Sequence, residues 1–211
     1  MMYPRPAGLV LGLVFFQGFL GMGFQLVSAR LLAPYFGTTL IVWAFLISTF
    51  LAAFSAGSFL GGAVSRLPEQ SRRRALAVVG VAGAMGFALA AFGGRPLTRF
   101  LDLTFEDASA GIGIACALLF LLPVMALSAL LPVYADMIGR DRAGVSAALV
   151  YGTSTLGNIT GVLATAFALI PNFPTSGLLI GWFVFSIPCF GAAPWLIRPP
   201  VTPGASTGDP A

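Results

Sequence analysis

The side chains from which this sequence could build chemistry are few. Its 211 residues hold no histidine, seven acidic residues and two cysteines. Without a histidine base, and with no carboxylate or lysine beside its serines and threonines, no activated nucleophile can be assembled. Cys116 and Cys189 each lie inside an apolar run without a spaced partner, the pattern of buried thiols rather than of a disulfide or a zinc site. No phosphate-cradling glycine loop follows a strand. Catalytic residues, a metal and a cofactor are therefore not expected. What remains is a set of polar groups embedded in apolar surroundings: Gln17, Gln25 and Arg30 near the start, and Tyr151, Thr153, Ser154, Thr155 and Asn158 in LVYGTSTLGNITG.

The apolar surroundings decide what these groups can do. Only 9% of the residues are charged and 58% are hydrophobic, against about 25% charged in a soluble domain. Six runs are long enough to cross a hydrocarbon layer of about 30 Å: 7–29, 38–64, 75–94, 108–133, 144–170 and 175–197. The first has basic Arg5 ahead of it but no small-residue cleavage site, so it reads as a retained span and not a signal peptide. An all-α membrane bundle over residues 1–198 is expected, followed by a disordered, Pro/Gly-rich tail over 199–211. Six spans put Arg5, Arg66, Arg72, Arg73, Arg74, Arg140, Arg142 and Arg198 on one side and Arg30, Arg95 and Arg99 on the other. That asymmetry predicts cytoplasmic termini. The net charge of +4 then reflects topology, not nucleic-acid binding.

Within such a bundle the polar groups take definite positions. An arginine in mid-membrane costs roughly 3 kcal/mol or more. Arg30 is expected at the outer end of the first span, turned inward, with Gln25 or the polar face of the fifth span as acceptor. Tyr151, Thr155 and Asn158 share a helix face at i, i+4, i+7. That face either joins a neighbouring span by hydrogen bonds or lines a small central cavity. Gly57 and Gly61, and Gly157 and Gly161, have the small-xxx-small spacing of helix contact faces, as have Gly8 and Gly12 and the Gly80, Gly83, Gly86 series. Pro34 and Gly37 are expected to end the first span, and Pro123, Pro132, Pro188 and Pro194 to kink the fourth and sixth. The acidic stretch LDLTFED around Asp102, Glu106 and Asp107 is expected in an external loop with a short interfacial helix.

Three segments carry a resemblance: QLVSARLLAPYFGTTLIVW, LLFLLPVMALSALLPVYADMIG and DRAGVSAALVYGTSTLGNITGVLATAFALIP. They resemble the membrane domain of the bacterial membrane-fused spermidine synthases, over nearly all of residues 7 to 197. RLLAPYFG is the most specific piece. The resemblance implies a six-helix bundle similar to half of a major-facilitator transporter, in an inner membrane. In that family the bundle is joined to a cytoplasmic aminopropyltransferase domain. No glycine-rich nucleotide loop or acidic polyamine pocket occurs in these 211 residues, so the chain is not expected to perform that reaction. The family pattern also has a glutamate where Gln25 stands, so an ion pair to Arg30 would here become a neutral hydrogen bond. The expected function is a non-catalytic membrane subunit that anchors, scaffolds or stabilises a separate synthase-like protein or a larger membrane complex. The alternative is a small transporter working as a dimer of six-span units. Membrane lipids surround it in either case.

Overall fold

The computed structural model describes residues 7–139 and 143–196. The tail and the charges of Arg5, Arg140, Arg142 and Arg198 lie outside the described residues. All regular structure among the described residues is helical, and six helices are long and apolar enough to span a membrane: Gly8–Phe36, Leu40–Ser65, Glu69–Thr104, Ala108–Ile138, Ala143–Asn172 and Thr175–Leu196. The first is α1 (Ala7–Phe36) and the second α2 (Leu40–Ser65). The third is α3 (Glu69–Ala88), a π-helical turn at Leu89–Gly93 and α4 (Gly94–Thr104). The fourth joins α5 (Ala108–Cys116) through a π turn at Ala117–Leu121 to α6 (Leu122–Ile138). The fifth runs from α7 (Ala143–Ala164) through a π turn at Thr165–Leu169 to α8 (Ile170–Asn172), and the sixth is α9 (Thr175–Leu196).

Four of the six spans, the first, third, fourth and fifth, outrun the apolar runs from which they were predicted, because polarity ends the hydrocarbon contact and not the helix. α1 does not stop at Ala29; it continues through Arg30 and Pro34 to Phe36. Proline in the last turns forfeits one helix bond without forcing an exit, so Pro34 is not where the chain turns. The turn is made by Gly37 at φ +73°, whose N–H donates to the Ala33 carbonyl at 3.0 Å. Thr39 then caps α2 by accepting from the Val42 N–H. At the end of the third span, Leu101 to Thr104 extend the helix instead of forming a separate one, and Asp107 caps α5 by accepting from the Ser109 N–H at 3.0 Å. The fourth span runs five residues past Val133, which draws Asp136 into α6. The helices likewise run on through Pro132, Pro188 and Pro194.

Small residues set the closest approaches. A Cβ on Gly57 or Gly61 would strike the Met125 and Ala129 carbonyls and Ser128 of α6. A Cβ on Gly157 or Gly161 would strike the Phe15 and Phe19 carbonyls of α1. Phe190 of α9 lies over Gly80 and Gly83, and Pro123 over Gly86. Gly8 and Gly12, in contrast, have no neighbour in reach and make no contact face among the described residues. Around the middle, Phe24, Phe50, Phe87 and Phe120 from four successive spans form an aromatic core, with Phe24–Phe87 ring centres 4.7 Å apart.

The close pairings are first with fifth, second with fourth and third with sixth, supported by third with fourth and first with sixth. Exchanging the first three spans with the last three maps this set onto itself. The two glycine pairs trade places under the same exchange. Because successive spans alternate in direction, the exchange also reverses each helix, the pattern of an inverted repeat. The first and fourth spans form the buried centre, whereas the second and fifth are the least buried.

Candidate functional site

Arg30 points into the bundle as expected, onto acceptors the sequence reading did not name. Its Nη1 donates to the Ile170 carbonyl at 2.6 Å and to the Phe173 carbonyl at 2.9 Å. Neither Gln25 nor the Tyr151–Asn158 face receives it. In a continuing helix the Ile170 carbonyl would be bonded by the N–H of residue 174, and residue 174 is a proline without one. The guanidinium supplies the missing donor and places a positive charge at the negative end of the fifth span. It thereby ties the end of the first span to the end of the fifth.

Gln25 is buried and lines a cleft of about 370 Å³ between the first, second and fifth spans. Met22, Trp43, Ile47, Phe54 and Val162 form most of the remaining wall. No close packing joins the second and fifth spans, so the cleft has the first span as its floor and is open between the other two. No hydrogen bond of the Gln25 amide is found among the described residues, and it does not meet Arg30. The expected exchange of a family ion pair for a neutral bond is absent here.

Tyr151, Thr155 and Asn158 do share a stripe of α7, and that stripe continues into Val162 of the cleft. Among the described residues none of its side chains hydrogen-bonds to a neighbouring span, although the Asn158 main chain lies against Gly18 of α1. Tyr151 is 42% exposed, Thr155 is exposed, and Asn158 is half-buried. The Thr155 hydroxyl donates to the Tyr151 carbonyl at 2.8 Å within its own helix, a bond that allows a threonine to face lipid. Ser154, flanking the stripe on the side that packs against α1, is the buried residue, and its carbonyl lies against Gly18. Trp182 is tucked into the first span, its Nε1 donating to the Leu20 carbonyl at 2.9 Å.

Two polar features were not foreseen. Arg72 Nη1 donates to Asp136 Oδ2 at 2.8 Å, an ion pair with side chains 11% and 19% exposed that joins the start of α3 to the end of α6. In the sequence Arg72 looks like one of three equivalent topology charges. The available signal was its register: Arg72, Leu76, Gly80 and Gly83 occupy one inward face of α3, whereas Arg73 and Arg74 are exposed. Gln17 is the second feature. It is buried at the centre of the bundle and donates through Nε2 to the Leu127 carbonyl of α6, while its Oε1 has no partner among the described residues. Cys116 and Cys189 are both buried free thiols. Among the described residues no group of histidine, cysteine and acidic side chains has the arrangement of a metal site.

Fold and geometry together define a multi-pass α-helical membrane protein with an open cleft on one face. Compared with protein-family models, curated proteins and solved structures, the chain has no match.

Proposed function

We propose that this chain is a non-catalytic subunit of the bacterial inner membrane, with cytoplasmic termini, whose open face between the second and fifth spans is completed by another protein. The resembled membrane domain of the fused spermidine synthases makes a separate synthase-like protein or a larger membrane complex the fitting partner. One observation carries the reading: the two least buried spans flank an open cleft that has the buried amide of Gln25 in its lining, and the Tyr151–Thr155–Asn158 stripe leads along the fifth span to Val162 at its edge. An amide left unpaired in hydrocarbon costs several kcal/mol, so this face is better suited to a protein neighbour than to lipid. A photo-crosslinking residue at Thr155 should give one discrete adduct in native membranes, and the same residue at exposed Val81 on the third span should give none. Adducts at both positions, or at neither, would overturn the reading.

A second reading is favoured by the inverted pattern of helix pairing. Transporters are built from such repeats, with the solute held near the midplane where two bundles face each other. Two copies joined across the cleft would enclose a chamber lined by Gln25, Trp43 and apolar side chains, with no carboxylate to hold a polycation. Asp136 is engaged by Arg72 away from the cleft. A neutral or anionic solute is therefore the better cargo. A crosslinked adduct of twice the chain's mass, together with solute uptake by reconstituted vesicles, would select this reading over the first.

A further inference from the structure

At the opposite end of the third span from Arg72, α4 presents two arginines that the fold leaves unanswered. Arg95 and Arg99 are one helical turn apart and both exposed. Neither has an acceptor among the described residues. Asp102, three residues beyond Arg99 and also exposed, makes no ion pair with it. Like charges at this spacing repel, so the pair is retained against its own electrostatics.

The two guanidiniums flank a hollow of about 460 Å³ whose other walls are Tyr35, Pro96, Phe100 and Leu103. Its depth in the membrane follows from length. The apolar part of the third span, from Leu76 to Gly94, rises about 28 Å at 1.5 Å per residue, close to the hydrocarbon thickness. Arg95 thus stands at the level where headgroups begin, and Arg99 one turn further out. Below them, Met85, Leu89 and Phe92 are exposed along the outer side of the same helix, forming an apolar track that leads up to the arginines. Phe100 and Leu103 are 62% and 76% exposed beside the hollow.

We propose that this hollow binds the phosphodiester of an anionic phospholipid, whose acyl chains lie along the Phe92–Leu89–Met85 track. Guanidinium groups match phosphate oxygens in paired hydrogen bonds, and the tyrosine hydroxyl at the rim is a further donor. A free phosphate would satisfy the arginines but leave the track and the exposed Phe100 without a role, so the lipid is the occupant that accounts for both.

The test uses the full chain purified in mild detergent from membranes containing phosphatidylglycerol and phosphatidylcholine, with retained lipid read by native mass spectrometry. The parent should retain phosphatidylglycerol in preference to phosphatidylcholine. The double variant Arg95→Gln/Arg99→Gln should lose about tenfold of that preference, and the charge-matched control Arg73→Gln/Arg74→Gln should keep it. Because Arg95 and Arg99 are exposed and make no hydrogen bond or ion pair among the described residues, the double variant should melt with the parent in phosphatidylcholine nanodiscs, which separates lost binding from lost fold. Equal retention of both lipids by the parent, or an unchanged preference in the double variant, overturns the proposal. Thermal stabilisation of the lipid-free parent by inorganic phosphate, equal to that given by phosphatidylglycerol, assigns the hollow to free phosphate and overturns the lipid.

Discussion

Arg30 answers a deficit that Pro174 creates, although the two are far apart in the chain. The proline leaves a carbonyl without its helix donor, and the half-buried arginine near the end of α1 donates to it. Removing the guanidinium exposes that deficit. Arg30→Ala should lower stability by about 1.5–3 kcal/mol, the range for hydrogen bonds to a charged group, read as a lower melting temperature in detergent. Arg30→Lys should recover part of this, since an ammonium can reach a carbonyl but lacks the planar fork. An unchanged melting temperature in Arg30→Ala would count against the bond. The inward turn of Arg30 was legible because a charge at a span end has few other options. Its acceptors are main-chain oxygens, which side-chain pattern does not reveal; the signal for them is the spacing of Ile170 and Pro174, which marks an orphan carbonyl. For the same reason the Tyr151–Asn158 stripe was located correctly but its surroundings were misjudged. Helical spacing tells which residues share a face, whereas what that face meets depends on a fold the spacing does not contain.

At the scale of helices, contact depends on which glycines are replaceable. Gly61→Ala and Gly161→Ala should each cost about 1–3 kcal/mol, because the added methyl would force apart backbones already in contact. Gly152→Ala, with nothing near it, should be neutral or slightly stabilising, since alanine is favoured over glycine in a helix by up to about 1 kcal/mol. Melting of the three variants in one detergent checks this, and equal melting temperatures would remove the distinction. The Gly57–Gly61 and Gly157–Gly161 spacings announced these interfaces in the sequence, but not their partners. Gly8 and Gly12 have the same spacing and no interface among the described residues, so the motif indicates permission for close approach and nothing more. Span ends were the least legible feature. Hydropathy falls where lipid ends, and the helices continued past that point, carrying Asp136 and α4 into positions that composition had assigned to loops.

For the whole molecule, six spans and an all-helical class were plain from hydropathy, because no other structure buries this many consecutive apolar residues in lipid. The order in which the spans pack was not, since interfaces between equally apolar helices are chosen by shape. That order has a consequence for how the protein comes to lie in its membrane. A bundle whose first and last halves exchange when it is turned over presents much the same packing to either leaflet, so shape gives little instruction about which way up it should be inserted. The arginines must supply that instruction almost alone. Replacing Arg66, Arg73 and Arg74 with glutamine while introducing Thr38→Arg and Glu106→Arg should therefore turn a large share of the molecules over. A cysteine at Leu67, in the turn between α2 and α3, would report it: protected from a membrane-impermeant maleimide in the parent, labelled in the variant. The native Cys116 and Cys189 are buried and would stay silent. Sidedness in this protein is then a property of a handful of surface charges, separable from the fold they orient.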